Sequence, residues 1–328
     1  MSVLLTGGAG YIGSHMVLRL LERGEEVIVI DDLSTGIRKS VPPTVTLIVG
    51  DVGDEALIEA TLREHKVDAI FHFAGSVVVP ESVTDPLKYY WNNTAKSRNL
   101  LAAAVASGVR HFVFSSTAAV YGSISDEPVD ETCPTRPDSP YGRSKLMTEM
   151  MLKDVASAHD LRYAILRYFN VAGADPGLRT GQSTPNATHL IKVAAEAAVG
   201  KRNSIEIFGT DYPTADGTCI RDFIHVADLV DAHAAALDHL RNGGESLVAN
   251  CGYGTGHSVL DVVRTAKRVS GSTFPVRFGD RRPGDICTVV ANSDLLRSKL
   301  SWTPKYDSLE VMVGHAIAWE RRLQSTAA

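Results

Sequence analysis

Short apolar runs alternate with helical patterns through the first half of the chain, and that alternation restricts the fold class. Residues 2–8 (SVLLTGG), 25–32 (EEVIVIDD), 45–51 (VTLIVGD), 67–75 (VDAIFHFAG), 110–118 (RHFVFSSTA) and 162–170 (RYAILRYFN) have strand length and are rich in Val, Ile and Phe. Segments with helical periodicity lie between most of them, such as 14–24 (SHMVLRLLERG) and 55–65 (EALIEATLREH). Strand, helix and strand in succession argue for a parallel sheet with helices on both faces. The expected fold is therefore α/β, a doubly wound parallel sheet. Ligands of such sheets bind beyond the carboxyl ends of the strands.

The rhythm changes after about residue 175. Residues 173–189 and 208–222 are rich in Gly, Pro, Thr and Asp and read as irregular. A helix is expected from just beyond His225, a strand at 245–252 and a helix at 258–271. These breaks suggest two domains: 1–175 plus 221–252, and a smaller α/β domain from 176–220 plus 253–328.

The net charge of −5 gives no reason to expect nucleic acid or an anionic membrane as partner. No run reaches the ~20 apolar residues of a membrane span. The amino terminus reads as a strand that begins at once and not as a leader, so a cytoplasmic protein is expected. Cys133, Cys219, Cys251 and Cys287 have no C-x-x-C spacing and read as reduced thiols. The histidines form no H-E-x-x-H, and no metal is expected.

The first strand runs into LLTGGAGYIGSH and the first helix. Gly7, Gly10 and Gly13 permit a tight turn, close approach of backbone N–H groups to a pyrophosphate, and close packing of helix on sheet. Asp31 follows Gly13 by 18 positions at the end of the second strand, with Asp32 beside it. A carboxylate there accepts from an adenosine ribose and repels a 2′-phosphate, which favours NAD over its phosphorylated form. Asp51 ends the third strand and is a candidate adenine contact.

In SPYGRSKLMTE (139–149), Ser139 suits a helix cap and Pro140 its first turn. Tyr141 and Lys145 then share one face, a turn apart. A phenol titrates near 10, and lowering that by ~3 units takes about 4 kcal/mol. A nearby ammonium and a cofactor cation would both act in that direction. Thr117, at the end of the fifth strand, puts a hydroxyl at the same edge of the sheet.

Together TGGAGYIG, the aspartates at 31–32, FAG at 73–75, SST at 115–117 and YGRSK resemble the extended short-chain dehydrogenase/reductase superfamily, whose core is a Rossmann-type sheet. LRYFNVAGADP, IFGTDYPTADGTCIRDFIHVADL and RRPGD are similar to its UDP-glucose 4-epimerases. The resemblance implies tightly held NAD and interconversion of UDP-galactose and UDP-glucose. Tyr141 would take the proton from sugar O4, with C4 hydride passing to NAD. Thr117 would hold O4, and Lys145 would hold the nicotinamide ribose and depress the phenol. The 4-keto sugar would then turn over and be reduced on its other face.

The resemblance also implies cofactor contacts at Gly7, Gly10, Tyr11, Ile12, Gly13, Asp31, Asp32, Asp51, Val52, Phe73, Ala74, Gly75, Asn92, Ser115, Tyr141, Lys145 and Tyr168. It implies contacts to the UDP-hexose at Thr117, Asn170, Phe208, Arg221, Arg282, Asp285 and Val289. Guanidinium forks at Arg221 and Arg282 suit a diphosphate. Many relatives carry a lysine where this chain has Val77, and a bulky tyrosine where it has Val289. The smaller Val289 leaves room for a 2-acetamido group. UDP-GlcNAc/GalNAc, UDP-pentose and UDP-uronate 4-epimerases remain alternatives, and a silent NAD-binding scaffold is the remote one. Dehydratases of the fold use an Asp-Glu pair where this chain has Ala118 and Ala119. A homodimer is expected on the helix that carries Tyr141 and on 92–107. The faces Leu146/Met150 and Met147/Met151/Val155 read as those of a buried core helix, and His225 as structural.

Overall fold

A computed structural model describes residues 2–123, 128–184, 187–282 and 285–327; Pro283 and Gly284 of the RRPGD string lie outside them. In chain order the strands are β1 (Ser2–Thr6), β2 (Glu26–Asp31), β3 (Thr46–Val49), β4 (Val67–His72), β5 (His111–Thr117), β6 (Arg162–Tyr168), β7 (Asn170–Ala172), β8 (Ile205–Phe208), β9 (Ile220–His225), β10 (Leu247–Cys251), β11 (Gly256–Ser258), β12 (Val276–Gly279) and β13 (Thr288–Val289). The helices are α1 (Tyr11–Glu22), α2 (Glu55–Glu64), α3 (Val79–Thr84), α4 (Pro86–Tyr89), α5 (Lys96–Ala106), α6 (Pro140–Ala158), α7 (Leu190–Ala198), α8 (Val226–Arg241), α9 (Val259–Ser270), α10 (Asp294–Leu300) and α11 (Leu309–Ala327).

Seven strands form one parallel sheet in the order β3-β2-β1-β4-β5-β6-β10. The six runs read from the sequence all pair in it, and the order reverses between β1 and β4. Side chains alternate between two apolar layers, as period-two strands require. Leu5, Val29, Phe71, Val113 and Leu166 pack toward α1 and α8. Leu4, Ile28, Ile70, Phe112 and Ile165 pack with side chains of α2, α5 and α6.

Beyond the sheet, β9 pairs parallel with β7 and β13 and antiparallel with β11. A separate parallel pair joins β8 and β12. α7, α9 and α11 cover this region. None of its strands exceeds six residues, and most pair with partners distant in sequence. His225 caps α8 by accepting from the Ala227 N–H, which is the structural role expected of it.

The structure corrects the reading of α6. Met147 and Met150 are exposed, at 41% and 56%. The buried side of α6 carries Tyr141, Ser144, Lys145, Thr148, Glu149 and Leu152 instead. Small and polar side chains fit against the ends of β5 and β6; Leu146, Met151 and Val155 are half-buried and pack on the core as expected, whereas Met147 and Met150 turn outward.

A buried polar network makes that unusual face tolerable. Arg167 donates to Glu149 from Nε (3.0 Å) and Nη2 (2.6 Å). Ser116 Oγ donates to the same carboxylate at 2.5 Å. Arg167 Nη1 donates to the Tyr121 hydroxyl, which donates to Asn250 Oδ1 at 2.7 Å. Ser116 thus faces α6 as a structural group, whereas Thr117 is free of the network. Removing one charge would leave the other buried without a partner. Arg167→Leu and Glu149→Leu are each expected to destabilise by about 3–5 kcal/mol, and the double variant by clearly less than their sum. Urea unfolding of the three proteins checks this.

Candidate active site

β1 ends at Thr6, and the chain enters α1 through Gly7 and Gly10. Gly7 sits at φ +72°, and a Cβ there would lie 2.7 Å from the backbone nitrogen of Ala74. At Gly13 a Cβ would lie 2.1 Å from the Gly7 carbonyl oxygen. No side chain caps α1, and its first turn holds no acidic residue. Its first N–H groups and the positive end of its dipole are left for an anion. Tyr11 donates to the Gly173 carbonyl at 2.7 Å, and Ile12 packs on the core.

Asp31 braces this turn. Its Oδ2 accepts from Ala9 N and its Oδ1 from Leu33 N, both at 2.9 Å. Burial pushes its carboxyl up, and those two N–H groups restrain the rise. Both oxygens retain acceptor capacity for ribose hydroxyls. Asp32 is exposed and engaged in its own turn, accepting from Ser34 N and Oγ. The two adjacent aspartates therefore separate, one toward the glycine turn and one toward solvent. Asp51 pairs with Lys96 at 2.8 Å and accepts from Gly53 N. Burial raises its carboxyl, but these bonds outweigh burial and hold it below the usual range. Val52 is buried beside it in sequence.

After β4, Phe73 N donates to Thr6 O at 3.1 Å, and its ring packs 5.0 Å from that of His233. Ala74 N reaches Thr6 Oγ1 at 3.4 Å. Gly75 sits at φ +151°, and a Cβ there would lie 2.7 Å from Asn93 Oδ1. Asn92 donates to Ser76 Oγ at 3.0 Å. Its neighbour Asn93 does more: Oδ1 accepts from Ser76 N (2.7 Å), and Nδ2 donates to Ser76 O and Ser144 Oγ (both 3.0 Å). Asn93 therefore ties the Gly75 loop to α6 between Tyr141 and Lys145. The sequence reading chose Asn92 and missed Asn93. The signal is a π-helical turn at Tyr90–Ala95, a widened turn frequent at functional sites and invisible to a 3.6-residue pattern. Val77 is 47% exposed.

Ser139 Oγ accepts from Gly142 N and caps α6, as its sequence suggests. Tyr141 is 6% exposed, and its ring meets Tyr89 edge-on at 6.3 Å. Burial pushes the phenol well above its ordinary value. Tyr168 adds to the rise, and the neighbouring Thr117 hydroxyl opposes it. Thr117 stands opposite Tyr168 in the β5–β6 register and accepts from Ala119 N at 3.1 Å. Tyr168 is itself pushed up by burial. Lys145 donates to the Ser115 carbonyl at 3.1 Å and lies 4.9 Å over the Phe114 ring. Burial lowers its ammonium to about 8, while Glu149, one turn on, works the other way. The sequence suggested that Lys145 depresses the phenol; within the chain, burial governs Tyr141 instead, and the ammonium is turned to a carbonyl. Ser115 Oγ is buried and makes no hydrogen bond of normal geometry.

The remaining candidates come from the second region. Asn170 donates to Asp222 O at 2.9 Å. Arg221, on β9, donates to Ile220 O and Cys287 O at 2.8 and 3.4 Å. Val289 lies opposite Arg221 in the β9–β13 register. Arg282 covers the Phe208 ring at 4.9 Å and pairs with Asp285 at 2.9 Å. Arg282 and Asp285, expected at diphosphate and ribose, thus engage each other. Asp222 holds this region together by accepting from the N–H groups of Tyr253, Gly254 and Ala291. Sequence reading missed it, although it adjoins Arg221.

An uncapped helix start, two glycines with no room for a Cβ, a buried aspartate beside them and a free Ser115 hydroxyl fit a dinucleotide. The profile of the NAD dependent epimerase/dehydratase family matches residues 3–252. A UDP-glucose 4-epimerase of Azospirillum brasilense is 58% identical over 324 residues, 99% of this chain and 93% of that one. The crystal structure of UDP-glucose 4-epimerase from Brucella ovis in complex with NAD superposes with a TM-score of 0.94 at 41% identity, covering 97% of both chains. The UDP-Glc/GlcNAc 4-epimerase of Campylobacter jejuni does so with 0.86 at 47%, covering 98% and 99%. A match over most of the chain and this degree of identity mean that the chain belongs to the NAD dependent epimerase/dehydratase family.

Proposed function

We propose that this chain uses bound NAD to interconvert UDP-galactose and UDP-glucose at C4. The observation that carries the reading is Tyr141 beside Thr117, both nearly buried, at the carboxyl end of β5. That end lies on the same sheet edge as the glycine turn, the only edge from which a parallel sheet presents all its βα loops. The N–H groups at the start of α1 would hold the pyrophosphate, Asp31 the adenosine ribose, and Ser115 and Lys145 the nicotinamide half. NAD, when bound, supplies the hydride acceptor and donor for C4. Tyr141 accepts and returns the O4 proton, Thr117 orients O4 by hydrogen bonding, and Lys145 offers an ammonium that stabilises the phenolate. Arg221, Arg282, Asn170, Phe208 and Asp285 would hold the nucleotide. The chain divides for this purpose into 1–175 plus 221–252 for the cofactor and 176–220 plus 253–328 for the UDP-sugar.

Val289 favours a wider substrate range. A valine on β13 opposite Arg221 is a small side chain in the nucleotide-sugar region, and the Campylobacter jejuni relative is a UDP-Glc/GlcNAc 4-epimerase. A homodimer is the expected assembly. Val83, Leu87, Trp91, Met147 and Met150 are exposed on α3, α4, the π-helical turn and α6, and a second copy would cover them. We infer a cytoplasmic setting. The four cysteines are free thiols, and among the described residues no helix is long and apolar enough to cross a membrane.

Tyr141→Phe is expected to lower interconversion by roughly 10²–10⁴-fold while NAD stays bound. Chromatography of UDP-glucose formed from UDP-galactose, beside cofactor absorbance, measures both; wild-type turnover in the variant would sink the assignment. UDP-GlcNAc is expected to be turned over, and Val289→Tyr to suppress that activity by about 10–200-fold with UDP-galactose turnover retained. In sedimentation the protein is expected to run as a dimer at micromolar concentration, with Met150→Glu shifting it toward monomer.

A further inference from the structure

One imidazole outside the proposed chemistry spans the space between the glycine turn and α6. His72 ends β4 and is buried. Its Nδ1 lies 2.7 Å from Thr6 Oγ1, at the end of β1, and its Nε2 lies 2.7 Å from Ser97 Oγ, on α5. The donors fix the tautomer. Ser97 gives its one hydroxyl hydrogen to the Asn93 carbonyl at 2.6 Å, so toward His72 it can only accept. Nε2 therefore carries the ring hydrogen. Burial, with the Lys145 ammonium adding to it, lowers the imidazole to about 3, so the ring is neutral and Nδ1 accepts from Thr6. Thr6 Oγ1 in turn faces Ala74 N at 3.4 Å. Every hydrogen in this chain points one way, from Ala74 N through Thr6, His72 and Ser97 to Asn93 O. That carbonyl belongs to the π-helical turn and also accepts from Thr148 Oγ1 of α6 at 2.8 Å. The Asn93 side chain donates to Ser144 Oγ, and Ser144 Oγ donates to the Tyr141 carbonyl at 2.8 Å. The His72 ring also stacks on Phe114 at 5.6 Å, and Lys145 lies over that same Phe114 ring.

We propose that His72 is a positioning residue: as a neutral ring with its hydrogen on Nε2, it sets the distance between the glycine turn and the first turn of α6, and with it the approach of Tyr141 to the cofactor. A group that only filled space here would be apolar. A buried imidazole costs stability unless both nitrogens are paired, and each is paired to a different element. A charged ring would donate from both nitrogens and deprive the Thr6 hydroxyl of its acceptor. Loss of the two ring bonds frees the Ser97 hydroxyl and the π-helical turn, and through Asn93 and Ser144 it loosens the backbone under Tyr141. Reacting groups are sensitive to such shifts; a displacement of about 1 Å can cost roughly 10²-fold. The nucleotide-sugar residues on β9 and β13 lie outside the chain of bonds, so the effect falls on turnover and not on UDP-sugar binding. The kinetic consequence rests on the epimerase reading above; the hydrogen-bond chain does not.

The test compares the NAD-loaded wild type with two variants. His72→Phe keeps a ring and its stacking but neither hydrogen bond; His72→Gln restores an acceptor and a donor. Nitrogen-15 histidine NMR of the wild type is expected to show a ring, identified by its loss in His72→Phe, that is protonated at Nε2 alone and does not titrate between about pH 5 and 9. An Nδ1–H ring, or one that titrates there, overturns the donor chain. Hydrogen exchange is expected to quicken in His72→Phe at residues 74–78 and 140–146, with β9 unchanged. Quickening confined to β4 overturns the positioning. With UDP-galactose, His72→Phe is expected to lower kcat by roughly 10–100-fold at unchanged KM, and His72→Gln to recover most of it. Equal loss in both variants, or a raised KM at unchanged kcat, overturns the proposal. Where His72→Phe does not fold, Ser97→Ala, which leaves the imidazole in place, is expected to lower kcat in the same way, and a wild-type kcat there overturns the proposal. If the wild type interconverts no UDP-sugar, the epimerase reading fails, and the exchange pattern still decides whether His72 positions α6.

Discussion

The parallel register of β1 with its two neighbours determines where everything else can lie. Thr6 is level with Ile30 on β2 and His72 on β4, so the three strands end within one residue of each other. Asp31 and Phe73, the next residue of each neighbour, then arrive at the turn that Gly7 begins. Further along the sheet, Thr117 is level with Tyr168. Because no strand of the sheet runs the other way, each βα loop opens on one edge. The side chains proposed to hold a cofactor and those proposed to move a proton are brought to one edge by hydrogen-bond ladders, with no loop needing to travel far.

Burial acts in opposite directions on the two titratable groups at that edge. It pushes the Tyr141 phenol up and the Lys145 ammonium down, because both charged forms lose water. Each group alone is therefore held toward its neutral form. In the proposed reaction a phenolate at Tyr141 would need a positive charge nearby to offset that burial. Glu149 keeps the ammonium accessible, and Arg167 neutralises Glu149 in turn. The site can thus keep a buried lysine without leaving an uncompensated carboxylate under the sheet.

The sequence made legible what depends on local pattern. Six strands, the glycine turn, the Ser139 cap and the start of α8 all follow from residues within a few positions of one another. The misses are non-local. The methionines of α6 mark an apolar surface, but periodicity does not say whether protein or solvent covers it. Asn93 gains its importance from Ser76 and Ser144, far away in the chain. β13 has two residues and exists only because β9 is beside it. Arg282 and Asp285 were expected as nucleotide contacts by resemblance, while their pairing with each other follows from a three-residue spacing.

The two halves of the site are consequently built with different stiffness. The glycine turn is fixed by close backbone contacts: Gly13 on Gly7 and Gly7 on Ala74 leave no space to yield. Asp31 and Asn93 add buried hydrogen bonds on either side. The substrate half relies on β7, β11 and β13, of three, three and two residues. Its arginine–aspartate pair is partly exposed and worth little as a restraint. Rigidity is concentrated where a cofactor would stay through successive turnovers. Adjustable contacts lie where a sugar would enter, present each face of C4 in turn, and leave.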